Sequence, residues 1–374
     1  MNGGSRRERG PLRAAGSRGR VALAAAIVVA LGAALPARAA DPRLGVFYFP
    51  GWKDGARGLA HPRPWEPIRR YPEREPLLGW YDEGQPAVME QHLGWMADHG
   101  IGFVVFDWYW DGSRPVLDHA LRAYGTSRGK ARVPYAILWA NHGEQVLGEA
   151  QIAAMAAHLA REHFQRPEYL KVDGRPLLFL FSPEILDRNA QALQVPHARL
   201  TGLIQSAAQA AGLPGVLLAG AAGGGTHPVT QNARHWGYGA HFAYNYSAGM
   251  AGTRGQPRGT HSYAELDEVY REHWNWFMQR SERPYIVPMT SGWDRRPWGG
   301  SEDPGRDGSV STVAQFRQHL QAGHDTIRRH PDKTLGLGVL CCWNEFGEGS
   351  YIEPTRALGL QYLQAVKAVF GGRP

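Results

Sequence analysis

The chain has 374 residues, 43% hydrophobic and 20% charged, which is enough apolar content for a large buried core and excludes a disordered tail or linker array. Its 47 glycines and 26 prolines follow no triplet period, so collagen is excluded, and two cysteines cannot build a disulfide framework. A formal charge of +7 points at face value to an anionic partner, but the charge is concentrated at one end.

Residues 1–40 hold Arg6, Arg7, Arg9, Arg13, Arg18, Arg20 and Arg38 against Glu8, so they carry +6 of the +7 and leave +1 for residues 41–374. An arginine-rich start, the apolar run Val21 to Leu35 and the small-residue site Ala37-Arg38-Ala39 have the three-part build of a secretory signal. The apolar run is shorter than the ~20 residues of a spanning helix, which favours cleavage after Ala39 or Ala40 over a retained anchor. The expectation is an exported protein, periplasmic or extracellular, with no membrane span after cleavage and no electrostatic case for nucleic acid.

From residue 41 onward, short apolar runs rich in branched and aromatic residues alternate with amphipathic ones. Strands are expected at Gly45 to Phe49, Gly102 to Asp107, Val133 to Trp139, Pro176 to Phe181, Val216 to Ala221, Ala240 to Tyr246, Tyr285 to Thr290 and Leu337 to Trp343. Helices are expected at Pro86 to His99, Arg114 to Tyr124, Gly148 to Phe164, Leu200 to Ala211, Ser262 to Arg280, Thr312 to His330 and Ala357 to Phe370. Between the fifth and sixth strands, Gly223-Gly224-Gly225 reads as a flexible turn with no clear long helix. Cys341 and Cys342 read as two small core residues rather than a redox pair. Eight strands alternating with helices predict one α/β domain over 41–374, a (β/α)8 TIM barrel with extended βα loops, in preference to an open doubly wound sheet.

In such a barrel the chemistry stands at the carboxyl ends of the strands. There the sequence places Tyr48 and Trp52, then Asp107, Trp108 and Trp110, then Asn141 and His142, then Tyr244 and Tyr246, then Trp293 and Asp294, and finally Trp343 and Asn344. Aromatic faces contact the C–H face of a sugar ring while amides, imidazoles and carboxylates bind hydroxyls, so these residues are read as a carbohydrate pocket. Glu345 and Glu348 converge only if the chain turns after Glu345, a turn that Gly347 and Gly349 permit. Two converging carboxyl groups are the equipment of glycoside cleavage. No H-x-H or H-E-x-x-H pattern is present, so neither a metal nor a cofactor is expected.

The run Trp343-Asn344-Glu345-Phe346-Gly347-Glu348-Gly349, with Tyr351-Ile352-Glu353-Pro354, resembles the signature shared by glycoside hydrolase family 99, the endo-α-mannosidases and endo-α-mannanases, and its WbsX-like relatives. Val46 to Pro50, Gly100 to Phe103, Trp139 to Asn141, Tyr169 to Pro176 and Ser291 to Asp294 extend the resemblance along most of the chain. The resemblance implies a retaining, substrate-assisted route and adds Glu353 to the residues expected to bind the sugar. Glu345 deprotonates a sugar 2-hydroxyl that attacks its own anomeric carbon, giving a 1,2-anhydro sugar, and Glu348 protonates the departing oxygen and later activates water. Phe346 stands where the family has tryptophan, and Gly347 replaces a larger residue. The rival readings are a non-catalytic carbohydrate-binding protein on the same barrel, a WbsX-like glycan transferase and a metal-dependent barrel hydrolase.

Overall fold

The structure is a computed structural model that describes Met1 and residues 41–372 apart from 60, 144–145, 247 and 251–258. The expected signal segment lies outside the described residues. Eight strands form the central sheet: β1 (Arg43–Tyr48), β2 (Ile101–Trp110), β3 (Tyr135–Trp139), β4 (Arg175–Leu180), β5 (Leu217–Ala221), β6 (Ala240–Phe242), β7 (Val287–Thr290) and β8 (Leu337–Cys341). Their order is β6-β5-β4-β3-β2-β1-β8-β7, and every one of these pairings is parallel. The two ends of that row also meet. His241 of β6 bridges Tyr285 just before β7, with His241 N–H donating to Pro284 O at 2.8 Å and Ile286 N–H to His241 O at 2.8 Å. The sheet is therefore a closed barrel and not an open one.

Strand alternation splits the core into two layers. Phe47, Phe103, Val105, Ala136, Leu138, Leu177, Phe179, Leu217, Ala219, Phe242 and Val339 pack together inside the barrel. Gly45 shares the inward face, where a Cβ would come within 2.0 Å of the Phe103 ring, so a bare backbone is what lets that ring fill the interior. The alternate residues, Val46, Tyr48, Val104, Phe106, Trp108, Ile137, Trp139, Leu178 and Leu340, pack against the helices. Cys341 and Cys342 are buried in the inner layer and are joined as a vicinal disulfide across a cis peptide, a bond not anticipated from the sequence.

The helices of eight or more residues are α1 (Pro86–Asp98), α2 (His119–Thr126), α3 (Glu149–Leu159), α4 (Pro183–Ala192), α5 (His197–Ala210), α6 (Pro228–Trp236), α7 (Tyr263–Arg280), α8 (Val313–Arg329) and α9 (Gln361–Phe370). Their starts follow cap chemistry. Ser262 accepts from Glu265 N–H to open α7, and Thr312 with Gln315 forms a capping box for α8. α2 begins five residues later than expected because Pro115–Val116 pairs back antiparallel on the end of β2. The helix expected to reach Phe164 does so, but Ala160–Phe164 is a π turn. Two of these longer helices were not anticipated. α4 is largely polar, and α6 fills most of a link read as a loop, starting at Pro228 and ending on Gly237 in the left-handed region (φ 85°). None of the described helices is long and apolar enough to cross a membrane.

Candidate active site

A cavity of about 840 Å³ opens at the carboxyl ends of the strands. Of the residues expected there, Asp107, His142, Tyr244, Tyr246, Trp293, Glu345 and Glu348 line it. Asn344–Glu345 pairs antiparallel with Ser350–Tyr351, so the chain does turn after Glu345, and Glu348 N–H donates to Glu345 O at 3.2 Å within the turn. Gly349 takes a positive φ of 69° there, where a Cβ would lie 2.7 Å from Asp294 N. At Gly347 a Cβ would fall 2.1 Å from Trp298 Cε2, so the indole of a different loop occupies the space that a larger residue would need.

Three carboxyl groups converge. The Tyr244 hydroxyl lies 2.9 Å from Asp107 Oδ2 and 3.1 Å from Glu345 Oε1, while Asp107 Oδ1 and Glu345 Oε2 are buried with no hydrogen-bond partner among the described residues. Burial pushes the Glu345 carboxyl well above the ordinary glutamate range, with the charges of Glu348 and Asp107 adding to it and the Tyr244 hydroxyl opposing it. Burial likewise pushes Asp107 well up, against its Tyr244 hydrogen bond. Glu348 is pushed up to about 7 by burial, against the charges of Arg295 and Arg306. A carboxyl that keeps its proton to neutral pH is a competent general acid.

The aromatic walls differ from those expected. Phe49, Tyr109, Phe181 and Trp298 line the cavity together with Asn245, Glu184, His227 and His273. Strand parity explains the exchange: Asp107 faces the barrel axis, so Tyr109 does too, while Trp108 and Trp110 face the helices and stack beside His158. Tyr48, on the same outward side of β1, meets His92 of α1. Tyr246 stacks flat on His273, ring centres 3.7 Å apart, and burial lowers the His273 pKa to about 4, keeping it neutral. His273 Nδ1 accepts from Gly224 N–H at 3.0 Å, which ties the glycine turn into the cavity wall.

The remaining expected contacts are supports and do not line the cavity. Trp52 is fully buried, stacked on Trp65, and donates its indole N–H to Asn344 O at 2.9 Å. The Asn344 amide is spent on Phe49, accepting its N–H at 2.9 Å and donating to its carbonyl at 3.0 Å. Asn141 joins the ends of β3 and β4, accepting Ser182 N–H and donating to Ser182 O, both at 2.7 Å. Asp294 is paired with Arg74 at 2.5 Å and with Arg296 at 2.6 Å. Trp343 is buried against His92, and Glu353 accepts the Tyr81 hydroxyl at 2.6 Å and lies 3.3 Å from His92 Nε2. These side chains lie outside the cavity lining, in the shell behind the carboxylates. Among the described residues no three His, Cys, Asp or Glu side chains are grouped to hold a metal.

A closed (β/α)8 barrel with paired carboxyl groups on the loop after its eighth strand defines the class of this protein. Residues 69–366 match the model of the family described as "Glycosyltransferase WbsX", and the chain belongs to that family. It is 25% identical over 315 residues to "Uncharacterized protein WxcX" of Xanthomonas campestris pv. campestris strain B100, covering 79% of this chain and 43% of the relative. The same values hold for the protein of that name from strain ATCC 33913, so the chain spans less than half the length of the curated relatives it matches. Among solved structures, the family 99 endo-α-mannosidase from Bacteroides thetaiotaomicron shares the fold, with a TM-score of 0.62 at 12% identity over 88% of this chain and 97% of that one. So does a "Glycoside hydrolase-like protein", with a TM-score of 0.60 at 14% identity over 91% and 97% of the two chains.

Proposed function

We propose that the protein is a glycoside hydrolase that cleaves an α-mannoside-like oligo- or polysaccharide, with Glu345 and Glu348 as its catalytic pair. The observation that carries this reading is the placement of these two groups and Asp107 in one aromatic-walled cavity at the barrel mouth. In the retaining, substrate-assisted route, ionised Glu345 takes the proton of the sugar 2-hydroxyl as that oxygen closes on its own anomeric carbon. The bond to the leaving oxygen breaks as Glu348 gives it a proton. Water then opens the 1,2-anhydro sugar: Glu348 takes the water proton, and Glu345 returns its proton to the 2-oxygen. The upward shift of Glu348 to about 7 supports the acid role, and Tyr109, His142 and Trp293 supply a ring-and-donor surface for the sugar.

The family's description favours a second reading, transfer of the glycosyl group to an acceptor hydroxyl in place of water. Both readings use the same pair. The test is turnover of purified protein on α-mannan and on a panel of α- and β-linked oligosaccharides, with and without added acceptor glycans. Glu345→Gln and Glu348→Gln should each abolish it, and full turnover in both variants overturns the assignment. We further propose that residues 1–40 are a secretory signal and that 41–374 is the exported catalytic domain. The mature amino terminus, read by mass spectrometry, should then be Ala40 or Asp41.

A further inference from the structure

A tyrosine hydroxyl carries one proton, yet Tyr244 meets Asp107 Oδ2 at 2.9 Å and Glu345 Oε1 at 3.1 Å. It donates to one of them. The other contact is a hydrogen bond only if that carboxyl is protonated and donates to the tyrosine oxygen. Two ionised carboxylates competing for one hydroxyl, buried to 6% and 4% exposure, would be left with uncompensated charge.

The charged and titratable groups around this chain come from every neighbouring element. Tyr109 lies on β2 with Asp107, Glu348 shares the turn with Glu345, and Glu83 adds negative field from the loop after β1. His142 at the end of β3 is held neutral by burial. Arg295 and Arg306, on the loop after β7, act on Glu348. No described cation is paired with Asp107 or Glu345, so a proton is what neutralises this part of the site.

We propose that Asp107 holds that proton as a neutral carboxylic acid: it donates to the Tyr244 oxygen, and the Tyr244 hydroxyl donates to Glu345 and keeps Glu345 ionised. The inference rests on the reading of Glu345 as the base, since the geometry requires one shared proton and the chemistry assigns it to the partner that is not the base. Asp107 is then a positioning residue that acts through Tyr244. No bond is made or broken at Asp107, and the proton that Glu345 takes from the sugar is returned to the sugar oxygen.

The assignment is tested without a substrate by infrared difference spectroscopy of the mature chain at neutral pH. A carbonyl band of a protonated carboxylic acid that is kept in Glu348→Gln should disappear in Asp107→Asn and persist in Glu345→Gln. No such band, or a band removed by Glu345→Gln and kept in Asp107→Asn, overturns the proposal and leaves the glycosidase reading to its own assay. On a glycan that wild type cleaves, Asp107→Ala should lower kcat/KM by about 100-fold. Asp107→Asn, whose amide can still donate to Tyr244, should recover at least about tenfold of that loss. Tyr244→Phe removes a hydrogen bond to the ionised form of Glu345, so the acid limb of the pH profile should move up by roughly one unit. Asparagine no better than alanine at position 107, or an acid limb unmoved in Tyr244→Phe, also refutes it.

Discussion

The indole of Trp298 occupies the place that a side chain on Gly347 would take. A Cβ there would lie 2.1, 2.4 and 2.5 Å from three of its ring carbons. The ring also meets Phe49 edge to face at 5.7 Å, and both line the cavity. Gly347→Ala should therefore displace Trp298 and reshape the wall beside Glu348. Overpacking of this kind costs about 1–3 kcal/mol. The expected outcome is a lower denaturant midpoint together with a raised KM, and Gly347→Ala in combination with Trp298→Ala should recover stability but not KM.

The pH dependence of turnover follows from Glu348. Its pKa is raised to about 7 by burial, so it keeps its proton through mildly acidic conditions and loses it as pH rises through neutrality. If it is the acid, kcat/KM should fall on the alkaline side with a midpoint near that value. The cations of Arg295 and Arg306 hold the pKa down, so Arg295→Gln should let it rise and carry the descending limb to higher pH. A limb that stays in place in this variant would show that another group sets it.

Arg74 and Asp294 form a buried pair behind the catalytic turn, at 2% and 1% exposure, and Arg74 also donates to Phe346 O at 2.7 Å and Asp294 O at 3.0 Å. Removing the arginine leaves two carbonyls without that donor and the buried Asp294 carboxylate with Arg296 as its one remaining cation, so Arg74→Ala should cost about 3–5 kcal/mol in urea unfolding. Arg296 meets the same carboxylate from the surface, and Arg296→Ala should cost about 0–1 kcal/mol. Burial alone would raise the Asp294 carboxyl, but its hydrogen bonds to Arg296 and the charge of Arg74 outweigh it and leave it below the ordinary range. The folded pKa is depressed, so this contribution is present above the unfolded value of about 4 and is lost as pH falls through the folded one. Asp294→Asn should be less stable at pH 7 and lose less on acidification.

Tyr109 and Trp108 provide a test of strand parity. Tyr109 faces the cavity and Trp108 faces α3. Tyr109→Phe should change kcat or KM with little change in stability. Trp108→Ala should lower stability by about 3–5 kcal/mol, as large core truncations do.

The same pair shows how much of the site was legible in the sequence. All eight strands were found because branched and aromatic runs of β length between amphipathic segments are a strong signal, and eight of them alternating with helices point to a closed barrel. The convergence of Glu345 and Glu348 was legible from the two glycines that let the chain turn. Tryptophan was a poor guide to the walls. Counting rings at strand ends selected Trp108, Trp110 and Trp343, which pack on helices, whereas alternation from Asp107 would have selected Tyr109. α4 and α6 were missed because they are short and poor in large apolar residues, though Ser182-Pro183 and His227-Pro228 mark their starts. The roles of Trp52, Asn141 and Asn344 were illegible because they depend on loops far apart in sequence: Asn344 meets Phe49 across 295 positions.

The barrel's closure bears on the chemistry. Seven of the eight junctions around the sheet are ladders of three or more residue pairs, while β6 and β7 are joined through the single bridge at His241. The cylinder is in effect a split ring fastened by one clasp, and Tyr244 stands three residues beyond it. Any widening at that clasp would carry Tyr244 away from Asp107 and Glu345 together, so the junction with the fewest paired residues and the hinge of the proposed proton arrangement share one short stretch of chain.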